Sequence, residues 1–101
     1  MFKYSEVSMQ TQVTFRHLKT NPDLQASAIE TAQKFERFFD DIISTDIIFH
    51  NDTEKIVEYT VRVKGDTLVV KEGSEDFVKS LNEGADKMIR QIRRWKQKNR
   101  N

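Results

Sequence analysis

Apolar and polar positions along the chain fall into six blocks with two different periods. From Gln10 to Leu18 they alternate, with Thr11, Val13 and Phe15 on one side and Gln10, Gln12, Thr14 and Arg16 on the other, the pattern of a half-buried strand. Asn21-Pro22-Asp23 then reads as a helix start, because Asn caps orphan N–H groups, Pro suits the first helical position and Asp favours the positive dipole end. Leu24, Ala28, Ala32, Phe35, Phe39 and Ile42 recur at helical spacing, which predicts a first helix ending near Ile43. The β-branched and aromatic run Ile47 to His50 predicts a second strand, closed by the polar loop Asn51 to Lys55. Ile56 to Val63 alternate, with Val57, Tyr59, Val61 and Val63 facing one way, and Lys64-Gly65-Asp66 turns the chain into a fourth strand over Thr67 to Lys71. A second helix starts near Asp76 and runs almost to the end, with Phe77, Leu81, Ala85, Met88, Ile92 and Trp95 on its apolar side. Gly84 is its weak position, at about 1 kcal/mol relative to Ala if exposed.

The order β-α-β-β-β-α predicts an α+β two-layer sandwich: a four-stranded sheet, its last three strands an antiparallel meander, with both helices on one face. At 101 residues the chain is expected to form one domain over residues 9–101, preceded by a short extension, residues 1–8, that matches no template.

Charge adds what periodicity does not. Seven of the seventeen Lys and Arg fall between Lys87 and Asn101, a stretch without Asp or Glu, while residues 1–86 hold all sixteen acids and carry a net charge of minus six. Lys87, Arg90, Arg94 and Lys98 form a stripe beside the apolar side of the second helix, and Arg93, Lys96 and Arg100 spread over the remaining surface. Two or three cations would complement the dipole of a helix C-terminus. Seven also repel one another, and pairs such as Arg90 with Arg94 cost stability, so an external polyanion is the expected counterpart.

Other chemistry is sparse. With no cysteine, the chain is without disulfides, thiolate metal sites and thiol nucleophiles, and a cytoplasmic location fits. No apolar run approaches the roughly 20 residues of a membrane span, and MFKYSEVS lacks a signal-peptide core, so no membrane partner is expected. His17 and His50 form no recognisable metal-ligand set, Asp40-Asp41 point apart if helical, and Gly65, Gly73 and Gly84 are too scattered to cradle a phosphate. No catalytic residue, metal, cofactor or small-molecule substrate is therefore expected. Trp95 continues the core stripe of the second helix, which favours packing over base stacking.

Three stretches resemble the family of ribosome hibernation-promoting factors, also called ribosome-associated inhibitor or protein Y. Lys34-Phe35-Glu36-Arg37-Phe38-Phe39-Asp40-Asp41-Ile42 is similar to its K-L-x-x-Y-F-D-x-I, Ser74-Glu75-Asp76-Phe77 to the loop before its second helix, and Asp86-Lys87-Met88-Ile89-Arg90-Gln91-Ile92 to its D-K-L-x-R-Q-L. The resemblance runs from Met9 to about Lys98. It implies a fold similar to double-stranded-RNA-binding domains, and binding to the small ribosomal subunit and its rRNA in the mRNA and tRNA channel, which silences idle ribosomes. It further implies phosphate contacts from Lys87, Arg90, Arg94, Lys98 and Lys34, with Arg37, Arg16 and Lys19 as weaker candidates; Arg93 joins the RNA-binding candidates through the charge run alone. Phe15, Thr31 and Lys79-Ser80 depart from residues common in the family. The chain is expected to be a short form, and a second hibernation factor is a further partner that the family admits. Two alternatives share the charge pattern: a double-stranded-RNA-binding domain outside the ribosome, and a module that binds an acidic protein.

Overall fold

The computed structural model describes residues 10–99; the expected extension over residues 1–8 lies outside them. Six elements follow in order: β1 (Gln10–Arg16), α1 (Pro22–Phe38), β2 (Ile42–Asn51), β3 (Lys55–Val63), β4 (Asp66–Ser74) and α2 (Phe77–Asn99). They form the expected α+β arrangement, a mixed sheet of order β1-β2-β3-β4. The β1 strand runs parallel to β2, as a helical crossover requires, and the other pairs are antiparallel.

The expected alternation decides which face is covered. Val57, Tyr59 and Val61 on β3 and Ile47 and Phe49 on β2 are fully buried, and they meet Ala28, Ala32 and Phe35 of α1 and Leu81, Met88 and Ile92 of α2 in one core. Phe15 stacks on Phe49 at 4.9 Å between ring centroids, and Phe77 meets the same ring edge-on at 5.6 Å, closing one end of the sandwich.

The first helix starts where expected. The Asn21 side chain accepts from the N–H groups of Asp23 and Leu24 at 3.0 and 3.1 Å. Its end differs from the expectation of Ile43: the last helical residue is Phe38, and Phe39 takes an extended backbone (φ −138°) while its N–H still bonds Phe35 O. Phe39 and Ile42 are buried as expected, but from the connection and from β2. The tract Ile42-Ile43-Ser44-Thr45-Asp46-Ile47-Ile48 is β-branched at most positions, which costs a helix and suits a pleated sheet. Pairing with β3 therefore extends β2 well ahead of the expected Ile47. By the same pairing, β4 reaches Ser74, opposite Lys55, beyond the expected Lys71. The first strand stops two residues short of Leu18, because His17 turns into the left-handed region (φ 57°).

Two residues fix how α2 sits. Gly84 is buried, and a Cβ there would come within 2.7 Å of the Tyr59 ring. The Tyr59 hydroxyl donates to Leu81 O at 2.6 Å, and burial pushes its ionisation far above the ordinary tyrosine range. Ser80, fully buried, donates to Lys55 O at 2.7 Å and lies 2.7 Å from the Ser74 hydroxyl, tying the first turns of α2 to β3 and β4.

Gly84→Ala is therefore expected to destabilise the domain by about 1–3 kcal/mol in urea unfolding, although Ala is the better helix former. Tyr59→Phe should cost about 1 kcal/mol through the lost hydrogen bond. Because Tyr59 ionises more readily when unfolded, wild-type stability should decline as pH rises above about 10. That decline should be shallower in Tyr59→Phe; an identical slope in both proteins would refute the assignment.

Candidate nucleic-acid interface

Both helices begin at the same end of the sheet, since Arg16, His50, Ile56 and Gly73 share one register row and β1 and β4 both terminate there. The C-terminal half of α2, with most of its cations, consequently lies toward the opposite end, beside the β3–β4 turn. On the flank facing β4, Lys87 pairs with Glu72 at 2.6 Å and Gln91 donates to Val69 O at 3.3 Å. On the flank facing the end of α1, Lys96 pairs with Asp41 at 3.2 Å. Between these anchors the outer surface carries Arg90, Arg93, Arg94 and Lys98, all exposed and with no carboxylate in ion-pair contact among the described residues.

Lys34 and Arg37 are likewise exposed and without a carboxylate partner among the described residues. They line a cleft between α1 and the first turns of α2, with Ser27, Val78 and Asn82. Thr31, also on α1, is buried and donates to Ser27 O at 2.9 Å.

The remaining candidates are placed differently. Lys87 already has a partner, and Glu72 is largely buried, so an incoming phosphate would have to share this cation. Arg16 stands on the open face of the sheet, away from the helices. There its guanidinium is 3.9 Å from Glu58, whose carboxylate also faces His50 at 2.9 Å and Lys71 at 3.9 Å. Lys19 is exposed in the turn after β1. Periodicity could not reveal the Glu58 cluster, because it joins four strands through register. Asp40 and Asp41 lie in the turn after α1, where Asp41 serves Lys96.

Trp95 packs against the core yet remains partly exposed, lining a second cleft of about 200 Å³ with Asp66, Gln91, Arg94, Lys98 and Asn99. Among the described residues, no group of His, Cys, Asp and Glu could hold a metal ion, and no helix is long and apolar enough to cross a membrane.

Fold and surface together define a small α+β protein that displays unpaired cations on two packed helices. Comparison with known proteins gives that class a family. The chain belongs to the Sigma 54 modulation protein / S30EA ribosomal protein family, whose model matches residues 11–100. It is 26% identical over 91 residues to the ribosome hibernation promoting factor of Pseudomonas putida, covering 89% of each chain. Among solved structures it is similar to a ribosomal subunit interface protein from Coxiella burnetii, with a TM-score of 0.82 and 26% identity over 88% of this chain and 99% of that one. The N-terminal domain of Thermus thermophilus Protein Y shares the fold at a TM-score of 0.74, with 15% identity over 83% of this chain and 94% of that one.

Since Arg90, Arg94 and Lys98 hold no other described element in place, replacing all three by Ala should change stability by no more than about 0.5 kcal/mol each. Relief of i,i+4 repulsion could even raise it slightly. Thermal unfolding checks this; a large loss of stability would mean that these side chains support the fold.

Proposed function

We propose that this protein is a ribosome hibernation factor that binds the small ribosomal subunit and blocks the mRNA and tRNA channel by occupancy, without chemistry. The observation that carries this reading is the set of cations on α2, Arg90, Arg93, Arg94 and Lys98, left without carboxylate partners among the described residues on one rigid helix. A phosphate backbone offers the matching charge, and release of its counterions supplies the free energy. Lys34 and Arg37 extend the charged surface onto α1, and Lys87 contributes while remaining tied to Glu72. Family membership and the name of the Pseudomonas putida relative support the ribosome as the partner, and with it a cytoplasmic location. Arg16 plays a lesser part, because Glu58 offsets its charge on the far face of the sheet. A second hibernation factor would meet a surface that the subunit leaves free.

The test is co-sedimentation with purified small subunits over a series of salt concentrations. Binding should weaken steeply with salt, and each of Arg90, Arg94 and Lys98 changed to Ala should reduce the log–log slope by about 1 or slightly less. The triple change to Glu should abolish co-sedimentation. Unchanged binding by that variant would overturn the proposed surface. Preference for naked RNA duplexes in competition would move the partner off the ribosome, and capture that survives nuclease digestion would point to an acidic protein.

A further inference from the structure

The cleft at the end of α2 differs from the rest of the charged surface, because it joins an aromatic side chain to cations and to a fixed hydrogen-bond acceptor. Trp95 supplies part of one wall and Arg94 and Lys98 the rim. The polar groups are held in place: Asn99 donates to Trp95 O at 2.8 Å, Gln91 reaches Val69 O, and Asp66 accepts from the N–H of Thr67 at 2.8 Å through one carboxylate oxygen. The second carboxylate oxygen of Asp66 has no described partner. A surface built only to meet backbone phosphates would have no use for an acid at its rim, since the acid repels them.

We propose that this cleft takes one unpaired guanine nucleotide of a bound RNA, its base against Trp95, its N1–H and N2–H groups on the Asp66 carboxylate, and its flanking phosphates on Arg94 and Lys98. Each demand follows from the residues present. Indole stacking needs a base outside a duplex, since paired bases hide their faces. The two cations, unlike Lys87 and Lys96, have no described carboxylate partner. Among the common bases, guanine presents two adjacent N–H donors that match a carboxylate, whereas adenine and uracil present an acceptor there. The cleft volume of about 200 Å³ suits a single base. This inference rests on the RNA-binding reading above and adds a contact that distinguishes one base from another.

Trp95 is the only tryptophan of the chain, so its emission reports on the cleft alone. The probes are short single-stranded oligouridylates carrying one central guanosine, adenosine or uridine, a duplex of equal length, and purified small subunits. The guanosine strand should quench Trp95 and bind at least about tenfold tighter than the uridine strand, while the duplex leaves the emission unchanged. Trp95→Leu should weaken guanosine-strand binding by about tenfold and Trp95→Phe by much less, in line with the usual worth of base stacking. Circular dichroism verifies that both variants are folded. Asp66→Asn keeps the acceptor for Thr67 and should erase the preference for guanosine over adenosine while leaving uridine-strand binding in place. Emission unchanged by every single strand overturns the inference, as does a guanosine preference that survives Asp66→Asn. If small subunits bind without altering Trp95, the guanine contact falls while the hibernation reading stands. If subunits fail to bind but the guanosine strand quenches, the hibernation reading falls and the guanine site stands.

Discussion

The seating of α2 on the sheet depends on one close approach, the Tyr59 ring beneath Gly84. Absence of a side chain at residue 84 lets the helix backbone come down onto an aromatic ring, and the Tyr59 hydroxyl then reaches the carbonyl of Leu81 one turn earlier. A hydroxyl buried this deeply would be costly without a partner, so the bond specifies the position of the helix as much as it strengthens it. Farther along the same helix, Lys87 meets Glu72 and Lys96 meets Asp41, one on each flank. With its depth set by Gly84 and its rotation set by the buried stripe of Leu81, Met88 and Ile92, α2 directs Arg90, Arg93, Arg94 and Lys98 outward. The charged surface therefore follows from a steric constraint in the core.

This division among the cations of α2 could not be read from their spacing. Lys87 and Arg94 occupy the same stripe of the helix and look equivalent in sequence. Only the register of β4 shows that Glu72 lies beneath the first of them. Arg16 was obscured for a related reason. Alternation along β1 places it opposite Val13 and Phe15, yet what shares that face is decided by three other strands, and there the answer is a glutamate rather than the helical cations.

What was legible had short-range causes. The order of elements, the covered face of β3, the Asn21 cap and the apolar side of α2 each follow from local pattern or local hydrogen bonding, and each appears in the structure as expected. The end of α1 did not, because Phe39 and Ile42 satisfy helical spacing and remain buried in a non-helical connection. Burial alone cannot distinguish the two; the β-branched tract that follows, paired residue by residue with β3, settles the matter. Gly84 shows the opposite failure. A residue that reads as a flaw in a helix is the point at which that helix makes its closest approach to the sheet.

The uneven distribution of charge has a kinetic consequence. Among the described residues, a net of minus six over residues 10–86, opposed by six cations between Lys87 and Asn99, gives a permanent moment running roughly along the end of α2. Near a strongly negative surface such a molecule experiences a torque, and arrives helix end first before any contact forms. The acidic remainder then resists being drawn in sideways. Orientation thus enters through the capture rate, over distances comparable to the screening length of the solution, about 8 Å at physiological ionic strength. A uniformly basic protein of the same size would adhere to such a surface more broadly and in more ways; a split charge favours one approach.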